Sequence, residues 1–491
     1  MIKTTAIIYL LLLSTTAQLY AQREKCSYGE RGSLTATCEN ASIRFFKITS
    51  YRFDMLDETL RCINCNLEVI EPNSFDISGN QIQTLDIRKC NIKTLKPSAF
   101  TGLVFMKNLY MQNNQIGELS AGIFKSIKKV RKLDIGYNNI KTISAQAFKE
   151  IANLTSLNLE YNDIESIDPL ALTGLDVLVN LNLESNLLSH AGNFSNLPKL
   201  SVLNLASNKI SVLKMGDFVN MTELVSLNMS NNLISEITQG TFHTLKNLLT
   251  LDLTNNRIGN LEPFAFEKLL NLEVLMMGHN EISTLRRFAF SDMPNLRELH
   301  LNNNKLRVFQ TGMFTGMPNL GFLNVSSNQL LAFFGSGNMG LANLHTFDLS
   351  HNNLTDLDYK VVFHHMPYLV YLKLDHNPWA CYLVAEIDEY TKNDNVKLTA
   401  EGVLTNTSCV ELRKRDVEAI VSHEEDVYGI SDHGYASGKV VYTLMTLMLL
   451  VICAMCYMIY RLNTQLAQSG NSFRTTSHAN LMSNDILSDE H

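Results

Sequence analysis

The sequence predicts an α/β solenoid: a curved parallel sheet of about 14 stacked repeats, with cysteine-bearing caps and one transmembrane helix. An asparagine recurs about every 24 residues in the frame L-x-x-L-x-L-x-x-N, and a phenylalanine follows it ten residues later in most copies. Cysteines flank the repeated region, and an uncharged apolar stretch lies near the C-terminus. A regular period of roughly 20 to 50 residues is the signature of a stacked repeat architecture.

The repeated asparagine sets the register of the chain, and we call its place in each repeat the ladder position. In LTSLNLEYN, Leu157 and Leu159 are two residues apart and therefore share one face of a strand. Asn162 then turns the chain, and its amide can satisfy backbone groups that the turn leaves open. Because no repeat buries its own apolar face, neighbouring repeats must stack. The spacing between ladder asparagines is 24 residues, except for one step of 22 and one of 25. The ladder asparagines are Asn114, Asn138, Asn162, Asn186, Asn208, Asn232, Asn256, Asn280, Asn304, Asn328, Asn352 and Asn377.

Two earlier repeats carry cysteine at the ladder position. These are Cys65 and Cys90, and Cys62 occupies the last leucine position of the strand before Cys65. The CxxC spacing also fits a redox or zinc site. Reactive thiols need solvent access, however, and these side chains are expected to point inward, so a structural role is favoured. A Cys65–Cys90 disulfide stays open, because parallel neighbours ~4.8 Å apart are close enough for a bridge.

Composition and motifs narrow the class of function. The 491-residue chain is 45% hydrophobic, has a net charge of −7 and shows no basic stripe along the sequence, so nucleic acid is not expected as a partner. It has no nucleophile elbow, phosphate-binding loop or HExxH motif, which argues against an enzyme. No cofactor and no metal are therefore expected.

Two apolar segments predict a single-pass type I protein of the plasma membrane with its N-terminus extracellular. Residues 1–21 have a positive start, an apolar run and small residues for cleavage, as in a secretory signal peptide. Residues 440–460 carry no charge, and a helix of this length spans about 30 Å of hydrocarbon. Arg461 follows directly, and positive residues favour the cytoplasmic side. Residues 461–491 are then a cytoplasmic tail.

Cysteines mark the two ends of the repeated region. We expect Cys26 to pair with Cys38, and Cys381 with Cys409, which suits an oxidising compartment. A helix near 382–392 is expected to support the second cap. The predicted domains between the signal peptide and the membrane span are an N-terminal cap at 22–59, repeats at 60–378, a C-terminal cap at 379–412 and a stalk at 413–439.

Eight N-x-S/T sequons predict N-linked glycans if the chain is secreted. Asn228 and Asn324 stand between inward-pointing residues of their strands, so their side chains are expected on the concave face of the sheet. Glycans there would obstruct the middle and rear of that face. The full set is Asn40, Asn153, Asn193, Asn220, Asn228, Asn324, Asn353 and Asn406.

The repeat frame and the segment NPWAC at 377–381 resemble the repeats and C-terminal flank of animal extracellular leucine-rich-repeat proteins, although Leu383 stands where that flank usually has a second cysteine. The chain is similar to insect single-pass surface proteins, the class of connectin, capricious and the Toll ectodomains. This resemblance implies recognition of an extracellular or cell-surface protein, in adhesion or as a co-receptor. The alternative is an innate-immune binding protein or receptor subunit, similar to mosquito leucine-rich-repeat immune proteins. Either role is compatible with homo- or hetero-oligomers.

The concave face of the N-terminal third is the predicted ligand-binding surface. Stacked strands make a rigid surface, and tyrosine and arginine are typical interface anchors. A face that is merely solvated is the competing interpretation. Of the concave histidines further along, only His279 and His300 are expected to be neighbours, which argues against a metal site. The candidate ligand-binding residues are Tyr110, Arg131, Lys132, Asp134, Tyr137, Glu160, Tyr161 and Glu184.

Overall fold

The computed structural model describes the repeated region and parts of both flanks. The predicted signal peptide, stalk, membrane span and tail lie outside the described residues, as do Cys409, Asn193 and Asn406. Within the described part of the chain, no helix is long and apolar enough to cross a membrane. The described residues are 25–28, 33–47, 57–76, 79–192, 194–286, 288–309, 313–332, 340–393 and 397–398.

Short strands, mostly of three residues, build one continuous 17-stranded sheet. The first two strands pair antiparallel, and the later ones pair in parallel with their neighbours. In chain order the strands are Lys25–Tyr28, Thr35–Glu39, Thr59–Ile63, Thr84–Asp86, Asn108–Tyr110, Lys132–Asp134, Ser156–Asn158, Asn180–Asn182, Val202–Asn204, Ser226–Asn228, Thr250–Asp252, Val274–Met276, Glu298–His300, Phe322–Asn324, Thr346–Asp348, Tyr371–Lys373 and Lys397–Leu398.

Two-residue strands and a few helices complete the repeats on the other, convex side and at the ends. The helix Cys381–Asn393 lies where the sequence predicts one over 382–392. The other helices are Ile43–Lys47 and Tyr359–His365, with a 3-10 helix at Lys149–Ile151. The two-residue strands are Val69–Ile70, Thr94–Leu95, Glu118–Leu119, Thr142–Ile143, Glu236–Ile237, Asn260–Leu261 and Thr284–Leu285.

Equivalent residues of successive repeats lie side by side in the main sheet. Leu133, Leu157 and Leu181 pair in register across three neighbouring strands, and all three are buried. The residues that flank each leucine are less buried, as the alternation of a strand requires. Fourteen such strands, from Thr59–Ile63 to Tyr371–Lys373, bound thirteen turns. The predicted repeat solenoid with a parallel sheet is therefore confirmed.

Asn162 shows how the ladder position joins successive repeats. Its Nδ2 donates to the carbonyl of Leu159 at 3.0 Å in its own repeat and to that of Ile135 at 3.1 Å in the preceding repeat. Its Oδ1 accepts the backbone N–H of Ile140 at 3.0 Å. Leaving a buried backbone group of this kind unpaired costs about 1–3 kcal/mol. The ladder asparagines therefore hold each turn to its neighbour.

Cys62, Cys65 and Cys90 are buried free thiols. The Cys90 thiol donates to the carbonyl of Arg88 at 3.3 Å and lies 3.9 Å from the carbonyl of Cys62. In later repeats the equivalent carbonyl of the preceding repeat accepts a hydrogen bond from the ladder asparagine. Hydrogen bonds from Cys62 and then Cys90 lower the pKa of Cys65, whereas hydrogen bonding with Cys65 raises the pKa of Cys62. Cys65 and Cys90 are not bonded to each other in the structure, and both fill the ladder position as small buried groups.

Phenylalanines ten residues after the ladder position form two stacked columns inside the solenoid. The first column has ring centroids 5.8 to 6.2 Å apart, and the second 5.7 to 6.2 Å apart. Between them Leu172 stands at the phenylalanine position, and the following 22-residue repeat buries Phe194 instead. The columns are Phe75, Phe100, Phe124 and Phe148, then Phe218, Phe242, Phe266 and Phe290.

The two ends of the described solenoid differ. A disulfide joins Cys26 and Cys38 across the antiparallel strand pair. At the other end Trp379 is buried, and a helix begins two residues later at Cys381. Cys381 is disulfide-bonded, but its predicted partner Cys409 lies outside the described residues, so that pairing stays a prediction.

The side chains of several sequon asparagines form hydrogen bonds with the backbone. Asn153 Nδ2 donates at 2.9 Å to a carbonyl of the preceding repeat, and Asn247, which is not in a sequon, makes the same contact at 2.8 Å. Asn228 and Asn324 end strands of the main sheet, and the Oδ1 of each accepts the backbone N–H two residues further on at 3.0 Å. Glycan occupancy at the sequons stays a prediction.

Candidate ligand-binding face

The solvent-facing side of the main sheet, which we call the concave face, brings the eight predicted residues into four neighbouring repeats. Each three-residue strand turns its central residue inward and its two flanking residues outward. Because the strands pair in register, residues about 24 positions apart become neighbours. Tyr110, Arg131, Lys132 and Asp134 lie on the strands or directly before them, and Tyr137, Glu160, Tyr161 and Glu184 lie in the turns that follow.

Tyr137 and Tyr161 form an exposed aromatic pair. Their ring centroids are 4.4 Å apart, and the residues are 44% and 45% exposed. Both have left-handed backbone, with φ of 54° and 49°, and the Tyr137 N–H donates to the carbonyl of Glu160 at 2.9 Å. Desolvation and then the Glu160 carboxylate raise the pKa of Tyr137. The pair is a neutral, preformed aromatic surface, and such residues commonly anchor protein interfaces.

Carboxylates and amides bond to one another along the concave face. Asn158 Nδ2 donates to Asp134 Oδ1 and to Glu160 Oε1, both at 3.1 Å. Asn182 Nδ2 donates to the other oxygen of Glu160 at 2.9 Å. Burial raises the pKa of Asp134 despite these bonds. The amides hold the carboxylates in fixed orientations, and we call Asp134, Glu160 and Glu184 the acidic strip.

Seven cations gather on and beside the N-terminal part of the concave face. The expectation that the chain has no basic stripe is therefore wrong for the folded protein. Asn108 pairs with Lys132, so Lys107 lies beside Arg131, and cations of separate repeats become neighbours. A scan along the chain misses this arrangement, although the run KKVRK at 128–132 could have revealed it. We call this set, Arg61, Arg88, Lys107, Lys128, Lys129, Arg131 and Lys132, the basic zone.

Tyr110 lies between two cations of the basic zone. Arg88 Cζ is 5.8 Å and Lys132 Nζ is 5.5 Å from the centroid of its ring, within the range of cation–π attraction. The buried carboxylate of Asp86 accepts two hydrogen bonds from Arg88, at 2.8 and 2.7 Å, and lies 3.3 Å from Arg61 Nε. Burial opposes the charged form of Asp86, but the two guanidinium groups outweigh it and lower its pKa.

Apolar side chains extend the concave face from the repeat of Glu184 onward. Val179, Val202 and Leu249 are 37%, 39% and 36% exposed. The Val202 N–H donates to the carbonyl of Val179 at 3.0 Å, and the Leu249 N–H donates to that of Val225 at 2.9 Å, so these residues lie on adjacent repeats. The repeat pattern does not predict their exposure, because valine and leucine near a strand look like core residues. We call Val179, Val202, Val225 and Leu249 the apolar patch.

Histidines of the C-terminal repeats are arranged differently from the expectation. His351 and His376 stack with ring centroids 4.0 Å apart, so the expectation that only His279 and His300 are neighbours is wrong. Both stacked histidines directly precede a ladder asparagine. The residues at this place in the repeat therefore stay aligned across the 25-residue step of the ladder. His279 Nε2 lies 3.3 Å from the side-chain amide of Asn303. Among the described residues, no group of His, Cys, Asp or Glu is placed to hold a metal ion.

Solved structures share the fold at low sequence identity. The leucine-rich-repeat domain of APL1 has a TM-score of 0.58 and 22% identity over 74% of this chain and 92% of that chain. Toll, from the Drosophila Toll–Spatzle complex, has a TM-score of 0.55 and 21% identity over 66% of this chain and 48% of that chain. TLR13, from its complex with ssRNA13, has a TM-score of 0.54 and 20% identity over 74% of this chain and 61% of that chain. The chain thus spans about half of that Toll chain and less than two thirds of that TLR13 chain. No curated protein matches the chain by sequence.

A family match covers the repeats themselves. The model described as leucine rich repeat matches residues 80–140, 104–164, 128–188, 178–234, 222–282 and 270–330. Together these segments run from residue 80 to residue 330, just over half of the 491-residue chain. The same residues carry the 24-residue period, the ladder asparagines and the parallel strands. The chain belongs to the leucine-rich-repeat family.

Proposed function

We propose that the chain is a non-enzymatic cell-surface recognition protein that binds a protein ligand through its concave face, as an adhesion molecule or co-receptor. The stacked Tyr137–Tyr161 pair carries this proposal. Two large aromatic side chains are exposed together, and each is fixed in a left-handed turn beside oriented carboxylates. Binding to a preformed surface costs less ordering entropy than binding to a mobile one.

The neighbouring features also suit a protein ligand. Charged, amide and apolar groups follow one another along the concave face from the basic zone to the apolar patch, as they do in mixed protein interfaces. The Toll structure is a complex with Spatzle, and the LRR fold of that chain is shared here. The proposal includes secretion by residues 1–21 and anchoring by residues 440–460.

An innate-immune binding protein or receptor subunit is the second candidate. It is favoured by the fold shared with Toll, whose complex with Spatzle is described as a hub in Drosophila development and innate immunity. Expression separates the two candidates: induction by infection supports the immune role, and a pattern tied to development supports adhesion or co-receptor work.

The test uses the full-length chain displayed on cells and a panel of soluble cell-surface and secreted proteins. Replacing both tyrosines, Tyr137→Ala with Tyr161→Ala, should weaken binding of a partner by about tenfold or more, since aromatic anchors each contribute about 2 kcal/mol or more. Surface level should stay unchanged, because both side chains are exposed.

The matched control is a second exposed stack in left-handed turns, Phe264 and Phe288, with centroids 5.9 Å apart and φ of 61° and 68°. These residues come two positions before buried phenylalanines, on the part of the repeat that leads away from the concave face. Phe264→Ala with Phe288→Ala should leave binding intact. Normal binding by the tyrosine variant together with loss in the phenylalanine variant would overturn the concave assignment.

A further inference from the structure

We propose that the basic zone binds an acidic segment of the protein partner, so that the carboxylate-rich part of the ligand docks at the N-terminal end of the concave face. This inference rests on the proposed function, and it names the chemistry of the partner at one end of the same surface.

The basic zone is locally positive within an acidic protein. The whole chain has a net charge of −7, yet the seven cations of the basic zone lie on or beside the concave face within a few neighbouring repeats. Asp86 is engaged by Arg88 and Arg61, and the Asp134 carboxylate accepts hydrogen bonds from the uncharged side chain of Asn158 and from the Gly136 N–H. The remaining cations are thus left with positive charge that these two carboxylates do not neutralise. A patch of one sign attracts and orients a partner of the opposite sign.

Aromatic rings contact two of these cations, and backbone pairing sets two others side by side. Lys129 Nζ lies 4.6 Å from the ring centroid of Phe105, and Lys132 Nζ lies 5.5 Å from that of Tyr110. Arg131 is exposed beside Lys107, to whose carbonyl its N–H donates at 2.8 Å. Lysine side chains lose substantial rotamer entropy when they are ordered, so a cation already resting on a ring loses less on binding.

The order of the zones favours a protein over a uniform polyanion. The acidic strip begins on the strand that carries Lys132, because Asp134 is two residues further on. The apolar patch begins with Val179, in the repeat that also holds Glu184, and continues into the following repeats. A glycan or nucleic acid with charge along its whole length would meet carboxylates and then valines. A protein surface can instead present acidic, hydrogen-bonding and apolar groups in that order.

The experiment measures binding of a fluorescent peptide made of Glu and Asp to the full-length protein in detergent, by anisotropy. A peptide of the same length made of Gln and Asn tests the charge. Heparin-derived oligosaccharide and single-stranded RNA test other polyanions. The test variant carries Lys128→Glu and Lys129→Glu. The control variant carries Lys246→Glu and Lys199→Glu, exposed lysines ten and nine residues before their own ladder asparagines, like Lys128 and Lys129.

The acidic peptide should bind the wild type and the control variant with similar affinity. Its affinity for the test variant should be lower by about tenfold or more. Its affinity should fall as ionic strength rises. The proposal is overturned if the neutral peptide binds as well, if the control loses as much as the test variant, or if heparin or RNA binds while the acidic peptide does not. A partner that depends on Tyr137 and Tyr161 but binds the test variant normally would overturn the acidic-ligand inference and leave the proposed function standing.

Discussion

At the scale of the residue, buried polar groups determine which positions of a repeat are fixed. A ladder asparagine such as Asn162 bonds to backbone groups of four other residues in its own and the preceding repeat, so its amide has no free hydrogen-bonding role left for a ligand. Asp86 is equally committed, to Arg88 and Arg61. Residues one position before the ladder, such as Tyr137, are exposed in most repeats and differ between them. Variation at exposed positions of this kind can change the ligand without changing the fold.

The cysteine at the ladder position gives the first prediction. Replacing it with the common residue, Cys90→Asn, should keep the free energy of unfolding within about 1 kcal/mol, because the new amide can donate to the carbonyl of Cys62. The reciprocal change, Asn162→Cys, should cost about 1–3 kcal/mol by leaving buried backbone groups unpaired. Chemical denaturation measures the change in the free energy of unfolding for each of the two variants. Misfolding of Cys90→Asn alongside a well-folded Asn162→Cys would mean that the thiols have a role of their own.

The paired carboxylate gives a pH-dependent prediction. Because the pKa of Asp86 is lowered in the folded state, its stabilising effect is present above its unfolded pKa of about 3.9 and is lost as pH falls through the folded value. Asp86→Asn should lower the free energy of unfolding by about 1–3 kcal/mol at neutral pH. The difference from wild type should shrink below about pH 4. Denaturation series at several pH values test this, and a difference independent of pH would argue against the charged pair.

At the scale of the element, one repeat is a short strand, a turn and a return segment that must pass close to its neighbour. Gly102 marks such a point, with a left-handed φ of 97°. A Cβ there would lie 2.6 Å from the Cα of Asp76 and 2.7 Å from the carbonyl oxygen of Phe75, in the preceding repeat. The tight stacking of return segments therefore depends on glycine at this position.

Gly102→Ala should lower the free energy of unfolding by about 2 kcal/mol or more, because both the backbone conformation and the backbone contact oppose a side chain. Gly117→Ala is the matched control, since a Cβ there meets nothing within 4 Å. Thermal unfolding of the two variants gives the comparison. Equal stability would show that neighbouring repeats can separate at little cost.

Elements were predictable from the sequence where one residue type repeats. The leucines and the ladder asparagine recur with the period, so strands such as Ser156–Asn158 and their register follow from it. Contacts between unlike residues of different repeats were not predictable in this way. The meeting of Lys107 with Arg131, and of Val179 with Val202, depends on the register of exposed side chains, which a window along the chain does not show. Tyr137 and Tyr161 could be singled out because each directly precedes a ladder asparagine.

At the scale of the whole described solenoid, function depends on a surface that exists before the ligand arrives. Stability in such architectures is approximately a sum over repeats and their interfaces, so an exposed residue of one repeat can change with little effect on the others. The basic zone, the tyrosine pair, the acidic strip and the apolar patch occupy adjoining repeats of one sheet. The concave face can therefore take one extended protein surface along these repeats.

Hydroxyl-radical footprinting of the full-length protein, with and without a partner from the binding panel, would show directly whether the concave face contacts the ligand. Radicals modify exposed aromatic side chains, and the protein offers two stacked pairs in comparable turns. If the ligand binds the concave face, the partner should protect Tyr137 and Tyr161 and leave Phe264 and Phe288 as reactive as before. Protection of the phenylalanines with unchanged reactivity of the tyrosines would contradict recognition through the concave face.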